Sequence, residues 1–141
     1  MKALTQGLLF ISVFLLLTFK AYANQNITFE AGDNTIATKL CVAAVSNDLK
    51  KTKLYISRLG MMAGIHTGMY GRTSFASDDI LCNDTDLVKF TAQYNAKDTF
   101  EFINKRALKK YRLDAEEIKI IDLARQQRMN NSPKVILITS R

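Results

Sequence analysis

The stretch ILCNDT, residues 80–85, ends a short apolar run with a cysteine and then supplies residues that favour turns and helix starts. The sequence contains one other cysteine, Cys41, inside an upstream segment whose apolar residues recur at helical spacing. Two cysteines in an exported chain favour a structural disulfide. We therefore predict a Cys41–Cys82 bridge between two helices, which would stabilise the fold by about 4 kcal/mol. The alternative is two free thiols.

The N-terminus has the three parts of an export signal. Lys2 supplies positive charge, residues 8–17 form a short apolar core, and residues 21–23 (AYA) form a small-x-small cleavage site. We expect cleavage near Ala23, a periplasmic or secreted chain, and a single globular domain over residues 24–141. The alternative is an uncleaved anchor, although the apolar run is shorter than the ~20 residues of a spanning helix. No later segment is predicted to span a membrane.

The charge balance is moderately basic. The sequence has 20 Lys and Arg residues and 13 Asp and Glu residues, which gives a net charge of +7. Loss of Lys2 and Lys20 with the signal lowers the net charge by two, to +5. This bias favours anionic partners only weakly.

The hydrophobic pattern predicts an α+β fold that is mostly helical, with four to five helices beside a small sheet formed by the chain ends. The predicted helices cover residues 35–45, 49–59, 85–94, 98–111 and 115–128. Residues 118–124 also fit a strand, because short apolar runs are ambiguous. The sheet is predicted to pair residues 27–29 with residues 134–139. The continuous apolarity of the second strand predicts cover on both of its faces.

The segment after the second helix contains four closely spaced glycines, at Gly60, Gly64, Gly68 and Gly71. Glycine disfavours a helix by about 1 kcal/mol relative to alanine. We therefore predict that Gly60 ends the second helix and that a long loop follows as far as residue 77. The spacing does not match the phosphate-binding pattern G-x-x-x-x-G-K-[ST].

Polar residues with acceptor side chains mark the predicted helix starts. The candidate caps are Asp33 or Asn34 for the first helix and Asn83 or Asp84 for the third. Residues 98–101 have the side chains of a capping box, and residues 114–117 repeat the signal.

Several spaced features carry a family resemblance. They are Cys41 followed by Val42-Ala43-Ala44, then Ser46-Asn47-Asp48, Cys82-Asn83, Phe90, Tyr94, Thr99-Phe100 and Asp122-Leu123-Ala124. In this order and spacing, over residues 34–125, the chain resembles small exported proteobacterial proteins catalogued only as a domain of unknown function. That family carries glycine after the Cys-Asn pair, where this chain has Asp84. The resemblance implies an exported bacterial setting and no particular activity.

Cys82 is the one candidate for thiol chemistry. A cysteine just before a helix N-terminus is placed where the helix dipole stabilises a thiolate. The chain has no Cys-x-x-Cys pair, and its single histidine, His66, is the only imidazole that could act as a base. A structural disulfide is therefore favoured over a redox or nucleophilic cysteine.

A second candidate site is the glycine-rich segment, which gathers soft ligands at Met61, Met62, His66 and Met69. Thioether and imidazole groups suit Cu(I) in an exported protein. The spacing matches no established motif, so packing of the methionines onto the core is the favoured interpretation. No cofactor is predicted.

A third candidate is a run of bases that would share one side of a helix, which we call the basic segment. Its members are Lys105, Arg106, Lys109, Lys110 and Arg112. Such a surface attracts phosphate-bearing polymers or lipid headgroups, although a solvated helix face is the more common explanation. Nucleic-acid recognition is not favoured, because Phe100 and Tyr111 fall on the apolar stripe.

These observations predict a non-enzymatic exported domain, with no catalytic residues assigned. We expect a binding or structural module of the cell envelope, whose partner is an anionic envelope component or another envelope protein. The alternatives are a thiol protein that uses Cys82 and a Cu(I) binder that uses the methionine segment.

Overall fold

The computed structural model describes residues 27–128 and 135–141, and for residues 123–128 the backbone alone. The predicted signal peptide and its cleavage site lie outside these residues. The described elements in chain order are β1 (Thr28–Ala31), α1 (Ile36–Val45), α2 (Leu49–Met62), α3 (Met69–Asp79), β2 (Leu81–Cys82), β3 (Thr85–Asp86), α4 (Leu87–Gln93), α5 (Lys97–Asn104), a 3-10 turn (Lys109–Tyr111), α6 (Ala115–Arg128) and β4 (Val135–Ile138). The predicted class, mostly helical α+β, is confirmed, with six α-helices in the described part rather than four or five.

Helix α1 is the centre of the fold. It packs against β1, α2, α4, α5 and β4. Most of the apolar residues that recur at i, i+4 and i+8 are buried, among them Leu40, Cys41 and Ala44, whereas Ile36 and Ala37 at the start of the helix are half-buried. They join one apolar core with Ile56 of α2 and Phe90 of α4. The i, i+4 spacing of apolar residues therefore predicted this helix and its buried face correctly.

Three helices end in the same hydrogen-bonded motif, with a residue of positive φ just after the helix. These residues are Asn47 (φ 57°) after α1, Gly64 (φ 70°) after α2 and Asn95 (φ 57°) after α4. After α2, the N–H of Gly64 donates to Met61 O at 3.1 Å and the N–H of Ile65 donates to Gly60 O at 2.7 Å. This paired pattern is the Schellman motif, which glycine and asparagine favour because they tolerate positive φ. The helix predicted over residues 85–94 ends at Gln93 and is followed by this motif.

The glycine-rich segment is mostly helical, and the prediction of a long loop there is wrong. α2 continues past Gly60 to Met62, and α3 begins at Met69. Gly60 is buried where a Cβ would lie 2.5 Å from Cγ of Arg72. Position 60 therefore requires glycine because Arg72 of α3 occupies the space of a side chain. The residue that ends the helix is Gly64.

The caps that begin the helices were predicted with mixed success. Thr35, rather than Asp33 or Asn34, caps α1, since its hydroxyl accepts from Thr38 N at 3.1 Å. Asp33 supports the cap by accepting from Thr35 N at 2.8 Å. The capping box predicted at residues 114–117 is confirmed: Asp114 Oδ1 accepts from Glu117 N at 2.9 Å, and Glu117 Oε2 accepts from Asp114 N at 3.0 Å.

The chain ends meet in a sheet, as predicted. β1 and β4 pair in parallel, with Phe29 opposite Ile136. β2 and β3 form an antiparallel pair, and β2 is joined to the residues after β4 through a bridge between Cys82 and Ser140. The prediction that β4 is covered on both faces is wrong, because Ile138 is fully buried whereas Val135 is 61% exposed.

The segment predicted as helix over residues 98–111 is interrupted. α5 ends at Asn104, and the 3-10 turn follows after a bend. The Asn104 side chain bridges to the chain beyond this bend, donating to Leu113 O at 3.1 Å and accepting from Leu113 N at 2.9 Å. Residues 118–124 lie within α6, so the helical alternative is the correct one there. None of the described helices is both long and apolar enough to cross a membrane.

Candidate functional site

The Cys41–Cys82 disulfide is present and lies in the core. Both residues are fully buried, and their Cα atoms lie 5.7 Å apart. The prediction that it joins two helices is wrong, because the bond joins α1 to β2 and so ties the central helix to the hairpin that precedes α4. Both cysteines of the chain are used, and no thiol is free. Exchange with an external thiol requires access to a sulfur, which complete burial denies in the native fold.

The residues after Cys82 form a turn rather than a helix cap. Asn83 (φ 45°) and Asp84 (φ 62°) occupy the two central positions between β2 and β3, the positive-φ pattern of a type I′ hairpin. The cap of α4 is Asp86, which accepts from Lys89 N at 2.9 Å. The predicted cap at Asn83 or Asp84 is therefore wrong, and Asp84 adopts a positive φ, which glycine accommodates without strain.

The Asn83 side chain also completes the sheet. Its Oδ1 accepts from Thr139 N at 2.8 Å, and its Nδ2 donates to Leu137 O at 2.9 Å. The backbone N–H of Asn83 donates to Thr139 O at 3.0 Å. Asn83 thus occupies the hairpin turn and also bonds to residues 137–139. The neighbouring sequence gave no indication of this second contact, because its partners lie more than 50 residues away.

The soft ligands of the glycine-rich segment lie on both sides of the α2–α3 connection. Met61 and Met62 are exposed at the end of α2, His66 is exposed in the connection, and Met69 begins α3 and packs against the core. The packing predicted for the methionines therefore applies to Met69 only. Cu(I) binding by this set stays a prediction.

The basic segment does not present one helical face, because the chain bends between α5 and the 3-10 turn. Arg106 stacks on Phe102 with 4.1 Å between its guanidinium carbon and the ring centroid, and donates to Phe102 O at 2.9 Å. Arg112 donates to Ala107 O at 2.9 Å and to Tyr70 OH at 3.0 Å. These two guanidinium groups are therefore held in contacts within the fold.

The remaining members of the basic segment differ in their contacts. Lys110 pairs with Asp78 at 2.7 Å, and this hydrogen bond lowers the pKa of Asp78 and raises that of Lys110. Lys105 and Lys109 are exposed. Phe100 and Tyr111 are half-buried against the core, in keeping with the expectation that they are not displayed for base stacking.

The structure reveals one surface that the sequence did not predict as a site, although it includes Met61 and Met62 of the soft-ligand set. We call it the outer face of α2, and its residues are Lys50, Lys51, Leu54, Arg58, Met61 and Met62. All are exposed, and they lie opposite the buried residues Thr52, Ile56 and Gly60. With 3.6 residues per turn, the six positions fall within about one third of the helix circumference. In the sequence, this face is marked by apolar residues interleaved with basic residues over Leu49–Met62.

The N-terminus of α2 is fixed by Asp48. Its Oδ1 accepts from Lys51 N at 3.0 Å, and its other oxygen lies 3.1 Å from Lys51 Nζ. The bond from the backbone N–H of Lys51 is the main cause of the lowered pKa of Asp48, with the Lys51 side chain second. Asp48 therefore remains charged at neutral pH, and its negative charge partly neutralises the positive charge of Lys51.

Comparison of the chain with models of protein families, with curated proteins and with solved structures finds no match. Within residues 27–128 and 135–141, no three His, Cys, Asp or Glu side chains are grouped so that they could hold a metal ion.

Proposed function

We propose that this protein is an exported, non-enzymatic module of the cell envelope that works by binding. The observation that carries the proposal is the Cys41–Cys82 bond, which lies fully buried at the centre of the core. Disulfides of this structural kind form in the periplasm or outside the cell and are rare in reducing compartments. The N-terminal pattern of Lys2, an apolar core and the AYA site supports the same compartment.

A binding function is favoured over thiol chemistry because the reactive side chains named above are bonded to partners within the fold. The sulfur of Cys82 is bonded and inaccessible. Asp78 is paired with Lys110, and Arg112 is bonded to Ala107 and Tyr70. The side chains left displayed on α2 are cations and apolar groups, which suit recognition of an anionic or amphipathic partner.

We also propose membership of the exported proteobacterial family that the sequence resembles. Several residues that carry the resemblance hold the fold together: Cys41 and Cys82 form the disulfide, Asn47 ends α1, and Asn83 occupies the hairpin turn. A family defined by such positions would share an architecture, and its members could differ in the partner they bind.

Export and oxidation are tested together in the bacterium. Cells are fractionated and quenched in acid to stop thiol exchange, and free thiols are then blocked at neutral pH in denaturant. The disulfide is next reduced, and the released thiols are labelled with a reagent that shifts the mobility of the protein on a gel. We expect the wild type in the periplasm or medium with both cysteines oxidised. A chain without residues 2–23 is the control and should remain in the cytoplasm with both thiols reduced. Wild-type protein found in the cytoplasm with free thiols would contradict the proposal.

A further inference from the structure

We propose that the outer face of α2 binds the surface of an anionic phospholipid bilayer. This inference rests on the proposed function, because it requires a chain that reaches the envelope. It assigns the partner to α2 rather than to the basic segment.

The first argument is charge. α2 contains four cations and no acidic residue over Leu49–Met62. Three of these cations, Lys50, Lys51 and Arg58, lie on the outer face, and the fourth, Lys53, lies 5.0 Å from the centroid of the Phe102 ring. Lys51 pairs with Asp48, but Lys50 lies near the helix N-terminus, where a cation opposes the helix dipole and does not stabilise α2. An anionic partner would account for the positions of Lys50 and Arg58.

The second argument is that apolar side chains alternate with the cations. Leu54 is 45% exposed, Met61 is 56% exposed and Met62 is 73% exposed. A cationic surface that bound only a soluble anion would gain nothing from these groups. At a bilayer, bases contact headgroups while apolar side chains enter the boundary with the acyl chains. Methionine suits this role because its unbranched side chain adapts to irregular surroundings.

The third argument is the comparison with the basic segment. Arg106 and Arg112 bond to backbone oxygens within the fold, and Lys110 pairs with Asp78. Lys105 and Lys109 are left exposed. Between them in the sequence lies one exposed apolar residue, Leu108 at 39% exposed, whereas the outer face of α2 has three that are more exposed.

The experiment measures binding to vesicles by co-sedimentation. The probe is a mixture of phosphatidylglycerol and phosphatidylcholine, with pure phosphatidylcholine for comparison. The protein is the purified disulfide-bonded chain, and mass spectrometry verifies that residues 1–23 are absent, since they would bind lipid themselves. We expect binding to the anionic vesicles, loss of most binding in pure phosphatidylcholine, and weakening by salt.

Two matched variants locate the surface. Lys50→Gln with Arg58→Gln removes two exposed charges from the outer face, and should lower the partition coefficient about 30-fold, since each base near an anionic surface contributes about a five-fold factor. Lys105→Gln with Lys109→Gln removes the same charge from the basic segment and should lower it less than about three-fold. Met61→Ser with Met62→Ser keeps the charge and should lower it about ten-fold.

Three results would overturn the inference. They are equal losses in the two charge variants, an unchanged partition coefficient in the methionine variant, and no binding of the wild type to anionic vesicles. An acidic envelope protein would then be the better partner for α2. None of these results changes the location or oxidation state of the protein, so the proposed function is tested separately.

Discussion

Asn47 ends α1 and caps α5 with the same side chain. Its Oδ1 accepts from Asp98 N at 2.8 Å and from Thr99 N at 3.1 Å, and its Nδ2 donates to Asp98 Oδ2 at 2.9 Å. Its backbone has φ 57°, as the end of α1 requires. A long-range contact thus replaces a local cap: the N-cap position of α5 is Ala96, whose side chain has no acceptor.

Two substitutions at Asn47 separate these roles. Asn47→Gly removes the cap of α5 and keeps the backbone conformation, so it should lower the free energy of unfolding by about 1 kcal/mol. Asn47→Ala removes the same cap and also places at positive φ a residue that lacks the polar side chain by which asparagine tolerates this conformation, so it should lower the free energy of unfolding by about 2–3 kcal/mol. Urea unfolding followed by circular dichroism measures both. Equal losses in the two variants would show that the backbone conformation contributes nothing.

Local and long-range signals explain what the sequence did and did not predict. The end of the helix predicted at residue 94 and the 114–117 capping box agree with the structure because the groups that form them lie within a few residues of one another. The prediction that Gly60 ends α2 is wrong because glycine is required there by a contact from another helix. The Arg72 side chain of α3 lies where a Cβ of residue 60 would be. The sequence of α2 showed bases interleaved with apolar residues, but which of the apolar residues are exposed depends on how α2 packs against α1 and α3.

The disulfide should make one of the large single contributions to stability. Cys41→Ala with Cys82→Ala removes the bond without leaving a thiol. It should lower the free energy of unfolding by about 4 kcal/mol, the value expected for a loop closed by cysteines 41 positions apart. Urea unfolding of this variant and of the reduced wild type should give similar losses. A loss below about 1 kcal/mol would show that the core holds the two segments without the bond.

The Asn83-Asp84 turn predicts an unusual tolerance for glycine. Asp84 has φ 62° and pairs with Arg141 at 3.0 Å through side chains that are both more than two-thirds exposed. Exposed pairs contribute little, so Asp84→Gly should keep or raise the melting temperature. Asp84→Val should lower the free energy of unfolding by about 1–2 kcal/mol, because a β-branched residue resists positive φ. A glycine variant less stable than the valine variant would contradict the turn assignment.

Neighbouring positions of β4 should lose very different amounts of stability on truncation. Ile138 is fully buried and Leu137 is 59% exposed, although the sequence VILI gave no reason to distinguish them. Among the described residues β4 pairs with β1 in a two-stranded sheet, and the core covers one face of this sheet. Alternate side chains of β4 point to opposite faces, so Ile138 is buried and Leu137 is not. Ile138→Ala should lower the free energy of unfolding by about 2–5 kcal/mol and Leu137→Ala by less than about 0.5 kcal/mol. Similar losses, measured by urea unfolding, would mean that Leu137 is also covered.

The Asp78–Lys110 pair gives the protein a dependence on pH at both ends of the scale. The hydrogen bond with Lys110 lowers the pKa of Asp78 below its ordinary value of 3.8, so the stability this group contributes is present above that value and is lost as pH falls through the folded pKa. The pKa of Lys110 is raised above 10.5 mainly by Asp78, so its contribution is present below 10.5 and is lost as pH rises through the folded pKa.

Asp78→Asn tests both ends in one experiment. Wild type should be more stable than the variant from about pH 5 to pH 9, and the difference should shrink below pH 3.8 and above pH 10.5. The difference should be small because the pair is partly exposed, and salt should reduce it further. Asp79→Asn, an exposed neighbour, is the matched control and should run parallel to wild type. A difference for Asp78→Asn that stays constant down to pH 2 would show that the carboxylate charge is not what Lys110 recognises.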